Sequence, residues 1–147
     1  MLPKAWRRSR GSGMGSPMGI TNVEGHVQRT DGSGPQLPIT LMVDSGAIYS
    51  VLPAVTWRQL GLIQRRDVDF SLADGTLITR GVSECSFEIE GRTATSPVVL
   101  GHDDEGPLLG AVTLETLGLV LNPLTRRLVP MRLLLSAMQA VPSSPSP

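Results

Sequence analysis

An apolar run ends in a short polar loop at Pro38-Ile39-Thr40-Leu41-Met42-Val43-Asp44-Ser45-Gly46-Ala47. Ile39, Leu41 and Val43 share one parity, which predicts a strand with one buried face, and Asp44 lies at the end of that strand. Taken alone, the polar residues favour an ordinary turn that ends a strand. Motifs elsewhere in the chain therefore determine whether this stretch is interpreted as an ordinary turn or as a functional site.

The composition indicates one domain and excludes several classes of protein. The chain has 147 residues, 40% of them hydrophobic and 18% charged, and a low charged fraction mildly favours oligomerisation. Lys+Arg 13 balance Asp+Glu 13, so no basic excess indicates a nucleic-acid partner. The single Cys85 excludes an internal disulfide. With no membrane-length apolar run and no secretory signal, the sequence predicts a cytoplasmic protein without a membrane partner.

The two ends of the chain differ from its middle. Residues 1–17 are rich in Arg, Gly, Ser and Pro and lack acidic residues, which predicts a disordered N-terminal arm. Residues 136–147 end in Pro and Ser, which predicts a flexible tail. We therefore expect one domain over residues 18–135.

Strand patterns dominate this domain. Two short helices are predicted at residues 53–60 and 111–117, and each is followed by a glycine of the kind that ends helices. Cys85 shares a strand face with Phe87 and Ile89, which predicts a buried thiol and not a nucleophile. A series of short strands with one or two short helices predicts an all-β fold, closed and barrel-like.

Two loops complete the pattern. Ala73-Asp74-Gly75-Thr76 follows an alternating apolar run, and Asp-Gly in that setting predicts a hairpin. His102-Asp103-Asp104-Glu105-Gly106-Pro107 predicts an exposed acidic loop. Adjacent polar residues in a loop are usually solvated, so we predict no metal site there.

The ordered series of motifs resembles the retropepsin-like aspartic proteases, and more narrowly their small single-domain bacterial members. The matching stretches are Met18-Gly19-Ile20-Thr21, Val43-Asp44-Ser45-Gly46-Ala47, Ser50-Val51-Leu52-Pro53, Leu72-Ala73-Asp74-Gly75, Pro107-Leu108-Leu109-Gly110 and Thr113-Leu114-Glu115-Thr116-Leu117-Gly118-Leu119. The resemblance covers nearly all of residues 18–135. It implies the acid-protease barrel and an aspartic endopeptidase that needs no metal and no cofactor.

Because the chain carries the Asp-Ser-Gly triplet once, the resemblance implies a homodimer with one Asp44 from each copy. Aspartic proteases are themselves the standard example of two carboxylates that share one proton. The ionised Asp44 would act as a general base on a water molecule. The protonated Asp44 of the second copy would act as a general acid on a peptide bound in extended form.

The resemblance also implies roles for the residues around Asp44. Ser45 would lock the two loops together, and Gly46 and Ala47 would complete the active-site loop. Leu108-Leu109-Gly110 would support that loop from beneath. Ala73-Asp74-Gly75-Thr76 would form the flap over the peptide.

The chain departs from the viral members of this group. Ile48 and Tyr49 stand where viral members usually have an acidic residue that holds the substrate backbone, and Ala111 and Val112 stand where they have an Arg that supports the dimer. The hairpin turn Ala73-Asp74-Gly75-Thr76 has one Gly and no aromatic residue. Two alternatives therefore stay open: a non-catalytic dimeric module that binds peptides, and a protease that acts mainly on itself within residues 1–17.

Overall fold

The computed structural model describes residues 20–131. The arm and tail predicted at residues 1–17 and 136–147, and residues 18–19 and 132–135 of the predicted domain, lie outside this range. In chain order the elements are β1 (Thr21–Gln28), β2 (Leu37–Val43), β3 (Ser50–Leu52), α1 (Ala54–Leu60), β4 (Arg66–Ser71), β5 (Leu77–Ile89), β6 (Arg92–Leu100), β7 (Leu108–Leu109), α2 (Ala111–Leu117), β8 (Leu119–Asn122) and β9 (Arg127–Pro130).

Six strands close into a barrel, which confirms the predicted fold class. Their order is β1-β2-β7-β3-β6-β5, and β5 pairs back with β1. β4 pairs with the first part of β5, so residues 66–82 form a hairpin that extends from the barrel; we call it the flap hairpin. β8 and β9 form a separate two-stranded sheet. Among residues 20–131, no helix has the length and apolar character needed to cross a bilayer.

The barrel closes because its strands bury alternate side chains. Ile39, Leu41 and Val43 of β2 point into the main core, as their shared parity predicts. Cys85 and Phe87 of β5 are fully buried in the same core. The prediction of a buried thiol is therefore confirmed.

Both helices end at the predicted glycines. Gly61 and Gly118 have φ angles of 71° and 73°, in the left-handed region that other residues adopt at a cost. Trp57 of α1 is half-buried against the main core, and its Nε1 donates to the carbonyl oxygen of Gly101 at 2.8 Å. The helices thus pack on the barrel without interrupting its strands.

The strand β7 lies out of chain order, beside the loop that carries Asp44. β2 and β3 follow each other in the chain, but β7 lies between them in the barrel. β7 runs parallel to β2, with Val43 opposite Leu109, and antiparallel to β3, with Val51 opposite Leu108. This insertion places Gly110 directly behind the loop that follows β2.

Candidate active site

Asp44 follows the last residue of β2 and is only 5% exposed. Its backbone N–H donates to the Leu109 carbonyl oxygen at 3.0 Å, which ties it to β7. Its Oδ1 accepts the backbone N–H of Gly46 at 2.9 Å. Its Oδ2 is buried and has no hydrogen-bond partner within residues 20–131. A buried polar atom without a partner is costly, so this oxygen is suited to a group from outside residues 20–131.

The tip of the loop faces solvent around this buried acid. The Ala47 N–H donates to the Asp44 carbonyl oxygen at 3.0 Å, which closes the turn. Ser45 and Gly46 are exposed, and Ile48 is 64% exposed. The loop therefore presents a small polar and apolar surface next to Asp44.

The first turn of α2 holds the loop from behind. Helix amides in the first turn have no partner inside the helix, and no side chain caps α2. Instead, Ala111 N–H donates to the Ala47 carbonyl oxygen at 2.8 Å, and Val112 N–H donates to that of Ile48 at 3.0 Å. The helix and the loop thus satisfy each other's backbone groups.

Gly110 allows this close approach. A Cβ at this position would lie 2.6 Å from both the carbonyl carbon and the oxygen of Tyr49, and 3.0 Å from the Ala47 oxygen. Its φ of −99° suits any residue, so space and not backbone conformation requires glycine here. Leu108 and Leu109 are both fully buried beneath the loop.

A chain of buried hydroxyl groups continues behind Gly110. Ser50 Oγ accepts the Gly110 N–H at 3.0 Å and shares a short hydrogen bond with Thr113 Oγ1. Thr113 Oγ1 also lies 2.8 Å from Ser96 Oγ. These groups join β3, α2 and β6. Sequence reasoning missed them; the signal was a polar residue at a core position, in the apolar run of β3 and on the buried face of α2.

The predicted flap residues lie at the tip of the flap hairpin, in the loop of residues 72–76. Ala73, Asp74, Gly75 and Thr76 are all exposed. Asp74 Oδ1 accepts the Thr76 N–H at 2.9 Å, and this hydrogen bond lowers the pKa of Asp74. Gly75 has a φ of 87°, which explains the glycine.

Tyr49 connects the Asp44 loop to the flap hairpin. Its ring makes an edge-to-face contact with Phe70, with centroids 6.4 Å apart and planes at 89°. The guanidinium of Arg66 lies 5.9 Å from the centre of the same ring. Tyr49 therefore links the loop after β2 to two residues of β4.

Comparison with protein families gives one decisive match. The model of a family described as aspartyl protease matches residues 27–124, about two thirds of the chain. The chain belongs to the aspartyl protease family. This match confirms the retropepsin-like resemblance, while the narrower bacterial type stays a prediction. No curated protein matches the sequence significantly.

Solved structures similar to this chain include three viral proteins. The solution structure of the simian foamy virus (mac) protease has 14% identity and a TM-score of 0.44, covering 63% of this chain and 91% of the viral one. The EIAV protease complexed with the inhibitor HBY-793 has 20% identity and a TM-score of 0.46, covering 65% and 86%. A foamy viral protease–reverse transcriptase bound to an RNA/DNA hybrid has 11% identity and a TM-score of 0.47, covering 65% and 12%.

One expectation from the sequence is wrong. His102, Asp103 and Asp104 are exposed, but Glu105 of the predicted exposed acidic loop is fully buried. It pairs with Arg80 of the flap hairpin, which is distant in sequence, so the local pattern gave no sign of its burial. Within residues 20–131 no group of three or more acidic, His or Cys side chains could hold a metal ion.

Proposed function

We propose that the chain is an aspartic endopeptidase that acts as a homodimer, with one Asp44 from each copy on either side of a water molecule. The buried Asp44 Oδ2, which lacks a partner within residues 20–131, carries this proposal. A second Asp44 across a two-fold axis would supply a partner, because two adjacent carboxyl groups share one proton.

The two carboxyl groups would then divide the chemistry. The ionised Asp44 takes a proton from the water, which attacks the peptide carbonyl carbon. The protonated Asp44 donates a hydrogen bond to the carbonyl oxygen, and a carboxyl proton finally reaches the leaving nitrogen. In this scheme the contact between Asp44 Oδ1 and Gly46 N–H fixes the orientation of each carboxyl group.

The loop tip would form the contact between the two copies. Ser45 has a hydroxyl that both donates and accepts, so it can bond to the second copy across the axis. The small, exposed Gly46 lets the two backbones approach each other. The exposed Ile48 adds apolar surface at the same place.

The peptide would lie between the Asp44 loop and the flap hairpin. Ala73-Asp74-Gly75-Thr76 would cover it, and backbone groups there would bind an extended chain as an added strand. The inner side of the hairpin is apolar at Val68, Phe70 and Ile78, which pack against the buried cluster formed by Val51, Val82, Val99 and Leu108. We therefore expect a protein or peptide substrate.

A peptide-library digest followed by mass spectrometry tests the activity. Asp44→Asn keeps the size of the side chain and removes the acid, so we expect cleavage to fall by at least about 100-fold. Asp31→Asn makes the same change in an exposed turn and should cleave like the wild type. Cleavage that survives in Asp44→Asn, or that pepstatin leaves untouched, would refute the mechanism.

The same variants separate the enzyme from the non-catalytic alternative. Ile48 and Tyr49 replace the acidic residue of the viral members, which favours this alternative. A binding module would cleave nothing as wild type and would bind extended peptides equally well as wild type and as Asp44→Asn.

Mixing the two chains tests the dimer. An equal mixture of wild type and Asp44→Asn is allowed to exchange subunits and is compared with wild type at the same total protein concentration. If each site needs two wild-type copies, the mixture should have about a quarter of the activity. A site complete in one chain would keep about half of the activity. Specific activity should also fall on dilution below the dimer dissociation constant.

A further inference from the structure

A buried ion pair joins the flap hairpin to the segment that precedes β7. The Arg80 guanidinium donates from Nε to Glu105 Oε1 and from Nη2 to Oε2, each at 3.2 Å. The Arg80 side chain is 13% exposed and that of Glu105 is 0% exposed. The His102 backbone N–H also donates to Oε1. A fork of two parallel hydrogen bonds holds the carboxylate in one orientation.

Burial makes this pair a poor source of stability. Removing two charges from water offsets much of their mutual attraction, so a well-packed apolar pair of similar volume often stabilises a fold as well or better. An apolar pair does not reproduce the directional geometry of the fork. The geometry of the ion pair therefore indicates that it fixes the position of the flap hairpin relative to the segment before β7.

Arg80 lies on the inner face of the flap hairpin. Side chains alternate along a strand, so Arg80 shares its face with Ile78 and Val82. Val82 belongs to a buried cluster with Leu108, and Ile78 packs against that cluster. Arg80 is also opposite Val68 of β4, another residue packed there. The ion pair thus lies on the side of the hairpin that faces the barrel.

Glu105 is close in sequence to the residues that hold Asp44. The Pro107 carbonyl oxygen accepts the Met42 N–H at 3.1 Å, and the Leu109 carbonyl oxygen accepts the Asp44 N–H at 3.0 Å. Residues 105–109 are therefore bonded to the flap hairpin at one end and to Asp44 at the other. A displacement of the ion pair can therefore pass along these few residues to Asp44 as well as to the flap hairpin.

We infer that Arg80 and Glu105 are positioning residues that set the height of the flap hairpin above the Asp44 loop; this inference rests on the proposed function. The pair acts through the hairpin and through residues 105–109. Its loss leaves the barrel folded but lets the hairpin move, so a peptide is held less well.

The test replaces the pair by apolar residues in the double variant Arg80→Met, Glu105→Leu. We expect a urea midpoint at or above that of the wild type, KM raised by about tenfold, and a smaller change in kcat. Backbone amide exchange should become faster in residues 66–82 and stay unchanged in β1. Arg80→Lys keeps the charge but loses the fork, so it should shift KM and exchange in the same direction by less.

A surface pair supplies the matched control. Arg65 and Glu84 lie 3.6 Å apart with side chains 65% and 49% exposed, so Arg65→Met, Glu84→Leu should change neither KM nor exchange. Wild-type KM and wild-type exchange in the Arg80 variants would overturn the inference, and Arg80→Lys alone decides it if the double variant does not fold.

Amide exchange can be measured without catalysis. If the wild type cleaves nothing, the proposed function fails, while exchange still shows whether the pair holds the hairpin.

Discussion

Replacing Gly110 by alanine adds one methyl group at the most crowded point behind the Asp44 loop. The new Cβ would meet the Tyr49 carbonyl carbon and oxygen at 2.6 Å, whereas ordinary contact begins at 3.4 Å. Both atoms belong to the backbone, so no side-chain rotation relieves the clash. The loop or the start of α2 has to shift by about 0.8 Å.

This displacement sets the size of the effect. Inserting a methyl group into a packed interior costs about 1–3 kcal/mol of unfolding free energy. The shift also separates α2 from the loop carbonyls that accept its first amides, and Asp44 moves with the loop. A misplacement of about 1 Å near reacting groups lowers activity by about 100-fold. We expect Gly110→Ala to fold with reduced stability and to lose about two orders of magnitude in kcat/KM.

Gly106→Ala is the control for this experiment. A Cβ at Gly106 meets nothing within 4 Å, and its φ lies outside the left-handed region. Urea unfolding and cleavage of one peptide, measured for both variants, separate stability from activity at a concentration where both are folded. Wild-type kcat/KM and wild-type stability in Gly110→Ala would refute the argument that close packing behind the loop positions Asp44.

Three other predictions follow from single contacts. Thr113→Val removes the hydroxyl that joins Ser50 to Ser96, and urea unfolding should show a loss of about 1–3 kcal/mol; an unchanged midpoint would contradict the network. Burial raises the pKa of the Cys85 thiol, so a thiol reagent at neutral pH should label it only as fast as the protein opens; rapid labelling of folded protein would disagree. The Thr76 N–H lowers the pKa of Asp74, so this turn contact should be present at neutral pH and lost as the pH falls through that pKa. A carboxyl NMR titration would show it, and an ordinary aspartate value would argue against the contact.

Much of the fold could be predicted because its signals are local. The alternation in β2 and β5 reports one buried face, and Gly61 and Gly118 mark the ends of both helices. The Asp-Gly dipeptide locates the flap hairpin. Each of these features depends on residues only a few positions apart.

The parts that sequence reasoning missed depend on contacts between distant residues. Glu105 stands among exposed acidic residues, and only the fold brings Arg80 to it. Ser50 and Thr113 are polar residues in apolar elements, and their pairing across 63 positions has no local pattern. The proposed role of Asp44 came from a resemblance, because the triplet alone is typical of ordinary turns.

The insertion of β7 between β2 and β3 affects the order in which the protein can fold during synthesis. Synthesis proceeds from the N-terminus, so Asp44 leaves the ribosome well before the residues that bind its backbone. Until residues 108–109 have been made, no strand lies between β2 and β3. The Asp44 loop then lacks the segment that holds it from behind. A nascent chain that lacks residues 107–113 therefore has no backing for Asp44, and under the proposed function it gains activity only after that segment has been made.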